Sequence, residues 1–172
     1  MGKKSIKENK SIYQLIREEV GMTREEASEA MDFVSESRIE KFESGKSLVR
    51  PEEVLAMARA YKKPELCNYY CSHECPIGQE YVPEVKVKEL SQIVLQMLAT
   101  MNNLNKTKDR LIEITVDSEI SDDELKDFVQ IEKTINEIGI VADTLTLWVN
   151  NMIVSGQIDG QKLERARQEL KK

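Results

Sequence analysis

Hydrophobic residues recur along most of the 172-residue chain at the three- and four-residue spacing of amphipathic helices. In the N-terminal part, capping and breaking residues divide this pattern into five short helices. Thr23 and Glu26 form a capping box that begins the second helix, and Ser35 caps the third. Gly45 ends the third helix, and Pro51 opens the fourth. The pattern therefore predicts an all-α fold.

The C-terminal part carries longer apolar stripes. Residues 84–116 and 122–154 predict two long antiparallel helices joined by a short turn, each about 45–50 Å long. A hairpin of two such helices buries too little surface alone, so we expect a second copy of the chain to complete it. The predicted dimer seam is the apolar stripe of the second helix: Phe128, Ile131, Ile135, Ile138, Leu145, Val149 and Met152.

Proline and glycine residues punctuate residues 76–83, which we interpret as a linker. The linker separates a domain of residues 1–75 from a hairpin domain of residues 84–172 that forms the dimer. Within the second domain, residues 162–172 have the composition of a short polar helix.

Charge is distributed unevenly along the chain. The whole sequence has 25 Lys and Arg against 31 Asp and Glu, a net charge of −6, which by itself argues against a nucleic-acid partner. Residues 1–64 hold 13 Lys and Arg and 12 Asp and Glu, a net charge of +1, and the remainder carries −7. The acidity therefore belongs to the hairpin and does not exclude DNA from the N-terminal domain.

Several classes of protein are excluded by what the sequence lacks. It has no secretory signal and no run of 18 apolar residues, so we expect a cytoplasmic protein with no membrane partner. It has one histidine, no complete phosphate-binding loop and no convergent carboxylate pair. We therefore expect no catalytic residues, no enzyme activity and no required cofactor.

The segment TREEASEAMDFVSESRIEKFESGK, residues 23–46, resembles the helix-turn-helix of the XRE family, the Cro and phage-repressor type of DNA-binding domain. The likeness rests on the two capped helices and on the ending IEKFESGK, which has the family's order of apolar, polar, glycine and basic residues. It extends over residues 10–66. The turn Asp32-Phe33-Val34-Ser35 departs from the family pattern, because it lacks glycine and has one more residue.

The resemblance implies a five-helix, repressor-like domain whose third helix enters the major groove of DNA. The DNA-contacting residues that it implies are Arg24, Ser35, Glu36, Ser37, Arg38, Lys41, Lys46 and Arg50. Of these, Lys41 would donate to guanine, Glu36 would accept from cytosine, and Arg50 would hold a phosphate. The lysines of residues 3–10 would form a basic arm on the DNA backbone. The implied function is a sequence-specific transcriptional regulator, acting as a dimeric repressor on double-stranded DNA.

Two features leave alternatives open. Both helices of the motif carry glutamates, so the domain could serve as a protein-interaction module that keeps the fold without DNA. Glu43 is interpreted as a structural partner of Lys46 or Arg50. The second feature is the series Cys67, Cys71 and Cys75, spaced by four residues with His73 between them. These residues could be buried packing thiols, a zinc site, or a redox sensor.

Overall fold

The computed structural model describes residues 10–116 and 119–171. In these residues the elements of regular secondary structure are all α-helices. In chain order the helices are α1 (Ile12–Glu19), α2 (Arg24–Ala30), α3 (Glu36–Glu43), α4 (Pro51–Ala60), α5 (Glu65–His73), α6 (Pro76–Tyr81), α7 (Leu90–Ile114), α8 (Leu125–Val154) and α9 (Gly160–Glu169). The all-α prediction is confirmed. The predicted basic arm falls mostly on residues 1–9, which lie outside the described residues.

Local capping accounts for the ends of the first helices. The hydroxyl of Thr23 accepts the backbone N–H of Glu26 at 3.1 Å, and the N–H of Thr23 donates to the Glu26 carboxylate at 2.7 Å. The hydroxyl of Ser35 accepts the N–H of Arg38 at 3.3 Å. Gly45 follows α3 with φ +73°, in the left-handed region that favours glycine. Each cap lies where the sequence predicts it.

One hydrophobic core joins α1 to α5. Its buried residues are Tyr13, Ile16, Ala27, Met31, Val34, Ile39, Phe42, Val49, Val54, Met57, Ala58, Tyr61 and Leu66. Ile39, Met57 and Leu66 are fully buried, so α3, α4 and α5 each anchor this core with at least one side chain. This packing fixes the orientation of α3, the helix predicted to contact DNA.

The prediction of a linker at residues 76–83 is wrong for most of these residues, because they are helical. Residues Pro76–Tyr81 form α6, with proline at the first helical position, and α6 packs against α5. Gly78 is buried at this contact, and a Cβ atom added to it would overlap the backbone carbonyl of Cys71. The proline and glycine that suggested a flexible break instead start a helix and allow two helices to approach closely.

We expect Gly78→Ala to lower the free energy of unfolding by about 1–3 kcal/mol, because the added methyl group meets backbone atoms that cannot rotate away. Urea unfolding of the full chain, followed by circular dichroism, measures the change. Gly139→Ala is the matched control, since Gly139 lies in α8 and a methyl group added there would meet nothing within 4 Å. That control should be neutral or stabilising by up to about 1 kcal/mol. Equal stability of Gly78→Ala and the original chain would contradict the tight α5–α6 contact.

The chain divides into two compact units, Met1–Glu84 with Asn150–Lys172, and Val85–Val149. The segment that the sequence predicted as one hairpin domain, residues 84–172, is therefore shared between the two units. Residues 82–89 lie outside helices, so α7 begins later than predicted. The predicted polar helix near the C-terminus is present as α9, and Asp159 caps it by accepting two backbone N–H groups.

The two longest described helices, α7 with 25 residues and α8 with 30, are those predicted to form the hairpin. Arg110, near the end of α7, donates from Nε to Oδ2 of Asp127, near the start of α8, at 2.7 Å. This contact places the end of one helix beside the start of the next, as an antiparallel pair requires. In the part of the chain that the structure describes, no helix is long and apolar enough to cross a membrane.

Each helix of the hairpin buries one stripe of side chains. The buried residues are Ile93, Thr100 and Ile114 in α7, and Ile131, Thr134, Val141, Thr144 and Leu147 in α8. The hydroxyls of Thr100, Thr134 and Thr144 donate to the carbonyl four residues earlier, at 2.9, 3.0 and 2.6 Å. Because their polar groups are satisfied within the helix, these threonines can be buried like β-branched apolar residues.

The buried stripe of α8 differs from the predicted dimer seam. Only Ile131 belongs to both, and it is 2% exposed within the single chain, whereas Ile135 is 49% exposed. The remaining residues of the predicted seam are half-buried: Phe128, Ile138, Leu145, Val149 and Met152. The stripe is rotated toward Thr134 and Thr144, which the predicted seam did not include.

Candidate nucleic-acid interface

The turn between α2 and α3 shows how the chain accommodates the two departures from the family pattern, the missing glycine and the additional residue. Asp32 has φ +55°, so it takes the left-handed conformation that glycine usually supplies. The N–H of Phe33 donates to the carbonyl of Met31 at 2.6 Å, and Val34 is buried in the core. The additional residue is accommodated by projecting the side chain of Phe33 outward, where it is 66% exposed.

The outer face of α3 brings together three of the residues predicted to contact bases. Glu36, Ser37 and Lys41 are all exposed, as is Glu40 between them. On the opposite side of the same helix, Ile39 and Phe42 are buried in the core, together with Glu43. The helix therefore presents to solvent a polar face that carries both hydrogen-bond donors and hydrogen-bond acceptors.

Glu43 has the structural role that the sequence indicated, but with other partners. Its side chain is fully buried and accepts hydrogen bonds from Arg17 at 2.5 and 3.0 Å and from Arg24 at 2.8 Å. The prediction that Lys46 or Arg50 pairs with Glu43 was wrong. Burial lowers the pKa of Arg17, but the hydrogen bond and charge of Glu43 outweigh this and leave that pKa raised. One carboxylate thus joins α1, α2 and α3.

Arg38 is held in a second ion pair. Its Nε and Nη2 donate to the carboxylate of Glu53 at 2.6 and 2.8 Å, and its other bonds reach the hydroxyl of Ser47 and the carbonyl of Leu48. The hydrogen bond to Glu53 raises the pKa of Arg38. Because these bonds fix α3 to the start of α4, the guanidinium predicted to contact DNA is engaged within the domain.

The remaining predicted cations, Lys46 and Arg50, are exposed after α3 and before α4. Lys46 lies 3.9 Å from the carboxylate of Glu40, a solvent-exposed pair that contributes little. Arg50 lines a shallow pocket together with Ser35, the residue that caps α3. The pocket lies where the N-termini of α3 and α4 meet, and helix N-termini favour negatively charged groups. Phe33, Arg38, Glu52 and Glu53 complete its wall.

The cysteine series lies in α5 and at the start of α6. Cys67, Cys71 and Cys75 are half-buried free thiols, and the ring of His73 stacks on Tyr69 with centroids 4.5 Å apart. No group of three or more His, Cys, Asp or Glu side chains among the described residues is placed to hold a metal ion. Burial, together with the Cys71 thiol, raises the pKa of Cys67, which keeps that thiol protonated and less reactive. These observations favour packing thiols at α5 and its junction with α6.

Two capped helices packed on a shared core, with the second helix exposing a polar face, define a helix-turn-helix. Residues 14–66 match a family model described as helix-turn-helix. No curated protein and no solved structure matches the chain. The matched region covers less than half of the chain, and it is similar to a helix-turn-helix of the XRE type, as the resemblance implied. This is the domain of DNA-binding regulators, a class that is generally not enzymatic.

Proposed function

We propose that this protein is a sequence-specific transcriptional repressor that binds operator DNA as a homodimer. The observation that carries the proposal is the outer face of α3, where Glu36, Ser37 and Lys41 lie exposed on a helix of an XRE-type domain. The capping hydroxyl of Ser35 and the buried ion pairs hold this helix rigidly, as a surface that reads base edges requires.

The chemistry of the exposed side chains suits the major groove. The Lys41 ammonium can donate to guanine O6 and N7, the Glu36 carboxylate can accept from cytosine N4, and the Ser37 hydroxyl can do either. Lys46 and Arg50 flank this face and would bind phosphates, which sets the register of the domain on the duplex. Arg24 and Arg38 would act indirectly, by positioning α3.

A homodimer would place two such helices on one stretch of DNA. A two-fold dimer requires two related half-sites about one helical turn apart, or a multiple of that distance. Repression would follow from occluding the polymerase at an operator that overlaps a promoter. The hairpin of α7 and α8 is the element that we assign to dimerisation.

A second candidate function is a protein-interaction module that keeps this fold. Glu36 and Glu40 favour it, because two carboxylates on the outer face of α3 repel phosphates and suit a basic protein partner. The two functions differ in what the carboxylates do. If DNA is the partner, Glu40→Gln should strengthen binding, whereas a basic protein partner should bind that variant more weakly.

Selection of bound fragments from genomic DNA tests the proposal and yields the operator. We then expect Lys41→Ala to lower affinity for the selected operator by about 5- to 150-fold, equivalent to about 1–3 kcal/mol for one base-reading side chain. Binding to unrelated DNA should change little, so the preference for the operator is lost. Fluorescence anisotropy with labelled duplexes measures both affinities.

Lys133→Ala is the control, since Lys133 is an exposed lysine of α8, outside the helix-turn-helix domain. It should bind the operator as the original chain does. A chain that retards no pooled genomic DNA even at low salt would contradict the proposed function. Retained operator preference in Lys41→Ala would show instead that base reading lies elsewhere on the domain.

A further inference from the structure

We propose that a second copy of the chain docks on the outward face of α7, formed by Leu90, Val94, Leu98 and Met101. This inference rests on the dimer in the proposed function and specifies its surface. The four side chains are 39%, 38%, 56% and 51% exposed, respectively. They are large and apolar, and they follow one another at steps of four, four and three residues, as positions along one helix face do.

The outward face is distinct from the stripe that α7 already buries. At about 100° per residue, its four residues fall within about 80° of arc, about a third of a turn away from Ile93 and Thr100. Ile93 is 1% exposed and Thr100 is 4% exposed, so that stripe is fully covered within the chain. Helix α7 therefore has one apolar face covered and a second, roughly perpendicular one uncovered.

The charge pattern indicates what covers the second face. Residues 90–105 contain no Asp, Glu, Lys or Arg, although charged residues make up 33% of the chain. Residues 106–133, at the other end of the hairpin, contain 14 charged residues in 28. In a two-fold interface the same patch meets itself, so any charge near the axis meets its own copy. The uncharged end of α7 can therefore face its own copy without bringing like charges together.

The same pattern disfavours other occupants. Binding to an anionic membrane surface requires basic residues beside the apolar face, and residues 90–105 have none. DNA is disfavoured for the same reason. A run of exposed leucine, valine and methionine without charge is typical of the apolar centre of a homodimer interface.

The proposed interface lies on α7, whereas the sequence pattern predicted a dimer seam on α8. On α8, Ile131 is already buried within the chain, which leaves Ile135 as the exposed large apolar residue of the predicted seam. One such side chain is common on the surface of monomeric proteins. On α7 the exposed residues are consecutive along one face.

Light scattering coupled to size exclusion, with the full chain at micromolar concentration, tests the inference. We expect a dimer for the original chain. Leu98→Asp should raise the dimer dissociation constant by at least about 100-fold, because each copy would bury an unpaired carboxylate. Met101→Asp should have the same effect, and circular dichroism should show unchanged helix content in both variants.

Ile112→Asp is the matched control. Ile112 lies on the same side of α7 and is 63% exposed, but it stands among the charged residues of the other end. This variant should remain a dimer. A monomeric original chain, or a Leu98→Asp variant that dimerises normally, would overturn the inference, and dissociation by Ile135→Asp alone would place the seam on α8.

DNA binding separates this inference from the proposed function. A chain that dimerises through α7 but retards no DNA would disprove the repressor and leave the α7 interface standing. A chain that binds single half-sites as a monomer would support the DNA-binding proposal and overturn the interface.

Discussion

Replacing Glu43 with alanine lowers the free energy of unfolding by about 3–5 kcal/mol, the largest effect on stability that we expect from a single substitution in this protein. The Glu43 side chain is fully buried and accepts hydrogen bonds from both Arg17 and Arg24. Its removal leaves the Arg17 guanidinium, with 8% of its side chain exposed, as a buried charge without its carboxylate. Unfolding in urea, monitored by circular dichroism on the full chain, measures the loss.

Glu40→Ala is the matched control, because Glu40 lies on the same helix with 55% of its side chain exposed. We expect it to change stability by less than about 0.5 kcal/mol. A paired substitution, Arg17→Met with Glu43→Leu, should recover most of the lost stability, since apolar residues of similar volume replace a buried ion pair well. A Glu43→Ala variant within about 1 kcal/mol of the original chain would show that the carboxylate does not hold the three helices together.

Operator binding weakens about 150-fold between 50 and 200 mM salt, the second large effect that we expect. Among the described residues, Lys46 and Arg50 are the exposed cations that we assign to phosphates, so the proposed dimer would neutralise about four phosphates through them. Four contacts give a slope of about −3.6 for the logarithm of the binding constant against the logarithm of salt concentration. Had Arg24 and Arg38 also contacted phosphates, eight contacts would give a slope of about −7.

Fluorescence anisotropy of a labelled operator over this range of salt measures the slope. Arg50→Ala should bring it about two units closer to zero, because each protomer loses one contact, and Lys133→Ala should leave it unchanged. A slope near −7 would mean that Arg24 and Arg38 leave Glu43 and Glu53 when DNA binds. A slope near zero would contradict phosphate binding altogether.

The predicted and observed structures agree best where a structural signal acts within one helical turn. The capping box of Thr23 and Glu26, the cap of Ser35 and the left-handed Gly45 all lie where the sequence placed them. A cap joins residues three positions apart, so the information needed to recognise it lies in a short segment. The exposed residues of α3 follow from the same local periodicity.

Prediction failed where the structural effect of a residue type depends on its tertiary contacts. Proline and glycine in residues 76–83 indicated a flexible linker, but Pro76 starts α6 and Gly78 allows that helix to contact the backbone of Cys71. The predicted dimer seam contained no threonine, although several threonines of α7 and α8 bond within the helix through their hydroxyls and have buried side chains. Neither outcome is visible without the neighbouring helix.

The sequence by itself determined most of the helices, their caps and the helix-turn-helix class, because these depend on residues within a few positions of one another. Only the tertiary structure decided which cations are available for DNA. Arg24 and Glu43 are 19 residues apart, and Arg38 and Glu53 are 15 apart. Ion pairs over such distances form only after the helices have packed, and they turn two predicted DNA contacts into supports for α3. The same packing decided which face of α7 is covered and which is left exposed.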